Sequence, residues 1–240
     1  MEDKEVPWGK YVPREVPTNW YRYDLAYSIQ LLEIFISNSE EQIKSSIQEY
    51  MNTKRQSKID KLDQAINIED EVRHKELSNK HWELESLFNE YFPNLQRRSA
   101  FLSLYGFFEH ELDKLCALFK KTYDYKVELM DIRDLGIERS IKYLTIVADL
   151  PVDKGDDRWG KIKSIQKIRN LIVHNDGKLI DLCGNPRNTE RKIVAEDELL
   201  SGEDQVFLHV GYLTYVLETF DELFKYIDGL IQSSWYRLNA

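Results

Sequence analysis

The chain is poor in residues that staple, break or loosen a fold. Its 240 residues include only two cysteines, six prolines and ten glycines. Cys116 and Cys183 form no C-x-x-C pair and have no histidine at metal-ligand spacing, which argues for free thiols in a reducing compartment and against a zinc site. No apolar run approaches the roughly 18 residues that would mark a membrane span. The first 18 residues are charged and carry Pro7, Pro13 and Pro17 where a signal peptide would have an apolar core. A cytoplasmic protein without membrane contact is expected. Basic charge is in deficit as well: 33 Lys and Arg face 42 Asp and Glu, for a formal net charge of -9. Bulk attraction to nucleic acid is therefore weak, and any RNA contact needs a local basic patch. A glycine-rich loop able to cradle nucleotide phosphates is missing too.

What remains is a helix-forming chain, 42% hydrophobic and 31% charged. The three early prolines favour an extended arm over residues 1–18. From Trp20 to Met51, Leu25, Ile29, Leu32, Ile36, Ile43 and Ile47 recur at helical spacing, and Ser39-Glu40-Glu41-Gln42 has the form of a capping box. The segment reads as one long helix or as two joined near Asn38. A second charged stretch, from about Lys54 to Tyr91, stops at Phe92-Pro93, so residues 19–93 are expected to form a long antiparallel helical hairpin. Leu95 to Tyr123 is apolar around much of its circumference and belongs at the centre of a bundle. A short amphipathic helix follows over 137–147, then one from Arg158 to about His174. That helix is capped by Asp156 or Asp157 and stopped by Asn175-Asp176-Gly177. Lys192–Ala195 and Gln205–Leu208 read as short strands of a small hairpin, and a closing helix runs from Val210 to about Trp235. The class is all-α: an added N-terminal hairpin, a helical bundle over 94–240, and one small β-hairpin before the last helix.

The chemistry is concentrated in Ile168-Arg169-Asn170-Leu171-Ile172-Val173-His174, at the end of the fifth helical segment. At about 100° per residue, Ile162, Ile165, Ile168, Ile172 and Val173 form an apolar stripe with Arg169 inside its arc. An arginine so placed is either buried and paired, with Glu109, Glu111 or Asp113 as candidates, or it lines a crevice. Asn170 and His174, four apart, share a different face. The three side chains cannot converge on one ideal, isolated helix. Either the helix end frays and lets His174 swing, or a second copy supplies the missing group. His174 also lies where unpaired helix carbonyls favour an imidazolium. Such a histidine can exchange protons with a ribose 2′-hydroxyl or a leaving 5′-oxygen. Arg169 would hold the phosphate and Asn170 would orient an oxygen or the imidazole. This chemistry requires no metal and no cofactor.

Arg169, Asn170 and His174 match, position by position, the R-x4-6-H motif of the HEPN superfamily, which this stretch resembles. The likeness extends to Tyr105-Gly106-Phe107-Phe108-Glu109-His110-Glu111-Leu112, similar to an earlier core helix of such domains, and to Gly136-Ile137-Glu138-Arg139, similar to their middle helix. It covers roughly Leu95 to the C-terminus. The resemblance implies a homodimer with two motifs facing one cleft. In active members it implies a metal-independent endoribonuclease that leaves a 2′,3′-cyclic phosphate, with toxin or antiviral roles and hence RNA and an antitoxin or operon partner as binding partners. Other members have no catalytic role, so a non-catalytic helical dimerisation or protein-interaction module is the alternative. Elsewhere the bland readings prevail. Lys54-Arg55 and Arg97-Arg98 read as a solvated face, and Trp20, Tyr21, Tyr23 and Tyr27 as core rather than a stacking platform.

Overall fold

The computed structural model describes residues 17–62, 87–181 and 183–238. Six α-helices and one two-stranded sheet are present among them: α1 (Ala26–Leu62), α2 (Phe92–Tyr123), α3 (Gly136–Ile146), α4 (Asp157–Asn175), α5 (Asn188–Glu196), β1 (Leu200–Ser201), β2 (Phe207–Leu208) and α6 (Tyr212–Leu238). The all-α class is therefore shown, with the small antiparallel hairpin in place before the last helix. Residues 1–16 of the expected arm, and the 63–86 part of the expected hairpin's second limb, lie outside the described residues.

Four local expectations are corrected. Ser39 begins no helix. It sits inside α1, and its hydroxyl donates back to the carbonyl of Phe35 (2.7 Å), a bond open to any mid-helix serine. Thr53 does the same to Glu49 (3.0 Å), and α1 runs through Asn52-Thr53 to Leu62. Phe92-Pro93 does not end a helix: a π-helical stretch, Leu87–Tyr91, runs directly into α2, so the regular hydrogen-bond ladder is interrupted just ahead of Pro93 and not ended there. Lys192–Ala195 lies within α5 and is not a strand; four residues are too few to separate the two periods. The sheet pairs Leu200 with Leu208 and Ser201 with Phe207.

The chain divides into two compact units, both discontinuous in sequence. One contains the described parts of residues 1–26, 106–154 and 223–240. Its core forms where Phe108 of α2 meets Phe224 of α6 edge-on, ring centroids 5.7 Å apart, and Trp20 meets the same ring at 5.3 Å. Ile137, Ile141, Tyr143 and Leu144 of α3 are buried with them. Gly136 opens α3 at φ +57°, a left-handed backbone that favours glycine, and a Cβ there would displace the end of the Glu109 side chain. In this unit Glu111 is held by Lys114 (2.9 Å), and Asp113 accepts from Ser140 and Arg139.

The other unit gathers the described parts of 27–105 and 155–222. Phe101, Leu104 and Tyr105 of α2 pack there with Tyr212, Val216 and Phe220 of α6 and with Ile162, Ile165 and Ile168 of α4, all buried. Tyr105 meets Phe220 edge-on at 5.8 Å, and Phe101 meets Tyr212 at 5.5 Å. The polar side chains buried in this core are tie-bars. Asn94 Nδ2 donates to the Val206 carbonyl (3.1 Å) while its Oδ1 accepts from the Leu208 N–H (3.1 Å), so one amide replaces a neighbouring strand for β2. Arg97 grips Glu40 of α1 through two 2.7 Å bonds and donates to the Leu208 carbonyl (3.2 Å). Arg98 donates to Asp176 Oδ1 (2.6 Å). Arg97 and Arg98 are thus buried and ion-paired, which corrects their reading as a solvated face.

Candidate functional site

Helix α4 is fixed at both ends. The Asp156 carboxylate accepts from the Arg158 N–H (2.8 Å), and the Arg158 guanidinium folds back onto the same carboxylate. Those bonds hold the Asp156 carboxyl at about 2, well below the ordinary aspartate range. At the other end Asp176 adopts φ +51° and Gly177 φ +72°, and the N–H groups of both residues donate to the Leu171 carbonyl (3.0 Å from Gly177), closing the helix with a left-handed cap.

The residues after His174 are stitched to their surroundings. Asn175 Nδ2 donates to the carbonyls of Lys178 (2.7 Å) and Ile180 (2.8 Å). Gln205 Nε2 donates to the Asp176 carbonyl (2.6 Å), and Val206 N–H donates to the Gly177 carbonyl (2.9 Å). Arg98 secures Asp176 from α2. A terminus bonded this densely does not fray, so loosening of Asn175-Asp176-Gly177 is not the route by which His174 could reach Arg169.

The structure brings two of the three motif residues together. Arg169 is half-buried, its guanidinium 5.2 Å above the Tyr105 ring, and its Nη1 donates to Asn170 Oδ1 (3.0 Å). Tyr105 is itself buried and flanked by Phe101 and Phe220, so the cation rests on a rigid aromatic platform. Asn170 is exposed and held by Arg169, and His174 is exposed one turn further on. Five positions along the helix set Arg169 and His174 about 140° apart around its axis, so a single α4 presents them to different directions.

Exposure along α4 reveals a feature the motif alone does not. Lys163, Lys167, Asn170 and His174 recur at the spacing of one helix face, opposite Ile165, Ile168 and Ile172 of the core. Lys163 is half-buried and donates to Gln166 (2.9 Å), whereas Lys167 is exposed. On α4, Arg158 is paired with Asp156 and Lys161 lies on the opposite side of the helix, so the cations that share the face of Asn170 and His174 are Lys163 and Lys167. Two lysines there concentrate positive charge locally on a chain of net charge -9.

Sequence reasoning missed Arg98 and Tyr105 as parts of the site's support. A signal for Arg98 was present: Asn94, Arg97, Arg98, Phe101 and Tyr105 follow the 3–4 spacing of one helix face, so a cation at 98 falls on the core side of α2. Among the described residues no cluster of His, Cys, Asp and Glu could hold a metal ion, and no helix is long and apolar enough to cross a membrane. No family model matches the chain, and neither curated proteins nor solved structures provide a match.

Proposed function

We propose that the chain is a metal-independent endoribonuclease of the HEPN type, a homodimer of the toxin or antiviral-defence class, acting through Arg169, Asn170 and His174 from two copies at one cleft. The observation that carries this reading is the Arg169 guanidinium, set over Tyr105 and bonded to Asn170, beside an exposed His174 on the basic face of α4. Geometry within one chain supports the need for a second copy, because the helix end is fixed and the two groups diverge.

In this mechanism the neutral imidazole of one His174 takes the proton of a ribose 2′-hydroxyl. The 2′-oxygen attacks the adjacent phosphorus, and the bond to the 5′-oxygen breaks. The imidazolium of the other copy's His174 protonates that leaving oxygen, giving a 2′,3′-cyclic phosphate and a 5′-hydroxyl. Arg169 neutralises charge building on the phosphoryl oxygens, and Asn170 orients the guanidinium. Cleavage of a mixed-sequence RNA by the wild-type chain and its loss in His174→Ala, at an unchanged melting temperature, is the expected result. Equal cleavage by both proteins overturns the proposal.

The cation–π contact favours a second reading. Arg169 also contributes to packing, and in a non-catalytic dimerisation or interaction module that would be its whole role. Absence of RNA cleavage in the wild type, with Arg169→Ala lowering the melting temperature, decides for the module.

A further inference from the structure

Helix α1 has two apolar faces. Ile29, Ile36 and Ile43 recur every seven residues and are buried. On the opposite side Tyr27, Leu31, Ile34 and Phe35 stand 76, 65, 56 and 40% exposed. Their spacing, i, i+4, i+7 and i+8, makes one continuous stripe, about 180° around the helix from the buried one. Tyr27, expected in the core, is the most exposed of the four.

A solvated face of this chain ought to be charged. Between Ala26 and Ser39 the sole charged residue is Glu33, in a sequence that is 31% charged overall, and Lys and Arg are absent from Ala26 through Ile43. The four side chains expose roughly 450 Å² per copy, within the range of the largest apolar patches on soluble monomers, which are often functional.

We propose that this stripe is a two-fold interface between copies of this chain. Tyr27, Leu31 and Phe35 form a row at i±4 spacing along the exposed face of α1. The row is symmetric about Leu31. A two-fold axis there sets Leu31 against its own copy and Tyr27 against the second copy's Phe35, which is the self-complementarity an isologous contact demands. Fully covered on both copies, the four side chains account for about 900 Å², the scale of a weak, reversible interface. Charge selects the same occupant: two copies of net charge -9 repel, and this nearly uncharged stretch lets them meet without opposing carboxylates. A membrane-seated helix would instead carry Lys and Arg along its flanks. The interface does not depend on the nuclease reading, although a dimer made here would hold two α4 helices in one assembly.

The test reads mass rather than cleavage, so it fails or succeeds independently of the proposed activity. Sedimentation of the full chain at about 1–100 µM, the span of a modest interface, is expected to show a dimer. Leu31→Glu and Leu31→Lys, each folded by circular dichroism, are expected to be monomers, and mixing them in equal amounts to restore the dimer through opposite charges at the axis. Ile34→Gln, a milder change beside the axis, is expected to raise the dissociation constant tenfold or more while preserving the fold. A monomeric wild type, charged variants that keep the wild-type mass, or a mixture that stays monomeric each overturns the proposal. So does a wild-type monomer whose stripe is shielded from solvent by another part of its own chain or binds neutral lipid vesicles.

Discussion

Asp176→Asn is the most informative single change at the end of α4, because it alters charge and little else. Asparagine is, with aspartate, among the non-glycine residues that best tolerate positive φ, so the +51° backbone survives. The bond from Gln205 to the Asp176 backbone carbonyl survives as well. What is lost is the countercharge of Arg98. The two partners are unequally placed: the Arg98 side chain is 8% exposed, the Asp176 side chain 71%. Neutralising Asp176 strands a guanidinium with little access to water, and its Nε already has no hydrogen-bond partner among the described residues. Removing Arg98 leaves a carboxylate that water can solvate.

Breaking a buried pair from one side costs about 3–5 kcal/mol. Here the open carboxylate end admits water and an asparagine oxygen still accepts, so about 1.5–2.5 kcal/mol is expected, the range of a bond to a charged group. For a chain of this length that lowers the melting temperature by about 3–10 °C. Arg98→Met, which keeps much of the stem's packing, should cost less, about 1 kcal/mol. Adding Asp176→Asn to Arg98→Met should then cost almost nothing further, because no stranded cation remains. Calorimetry of the three variants supplies the cycle. A melting point for Asp176→Asn within about 1 °C of wild type, or a larger loss for Arg98→Met than for Asp176→Asn, refutes the account of what anchors the motif helix.

Two further outcomes follow from the same structure. If α4 tracks a single-stranded RNA, Lys163→Gln and Lys167→Gln should each reduce the slope of log affinity against log salt by about 0.7; unchanged slopes in a fluorescence titration would remove those lysines from the contact. Burial and the nearby Asp113 carboxylate push the Cys116 thiol far above its ordinary value, whereas Cys183 is exposed, so a thiol reagent at neutral pH should modify one cysteine per native chain and both after denaturation; two fast-reacting thiols in the native protein would contradict that burial.

Elements with a strong period were legible in the sequence. Helix α4, its Asp156 cap and its Asn175-Asp176-Gly177 stop follow from spacing and local chemistry, as do α3, α6 and the existence of a small hairpin before α6. Local signals misled where a short motif has more than one use. Ser39-Glu40-Glu41-Gln42 satisfies the pattern of a capping box, yet its serine bonds backward and Glu40 faces Arg97, 57 residues away. Pro93, which reads as a stop, follows a π-helical stretch that runs directly into α2. Partner choice across such distances is set by tertiary packing, on which local spacing is silent.

The adjacent arginines 97 and 98 show most clearly where charge counting fails. As neighbours on a helix they point about 100° apart, so they cannot act as one patch, and each finds its own acid: Glu40 and Asp176. Their charges are thereby spent on holding α1, β2 and the end of α4, and they contribute little to the field that a ligand meets. Lys167 on the outward face of α4 differs in kind, because it is exposed and able to exchange counterions. A net charge of -9 describes neither group. What decides whether this acidic chain can bind a polyanion is which of its cations are already committed to its own carboxylates, and that becomes visible only when Arg97, Arg98 and Arg158 are seen paired with Glu40, Asp176 and Asp156 while Lys167 stands exposed.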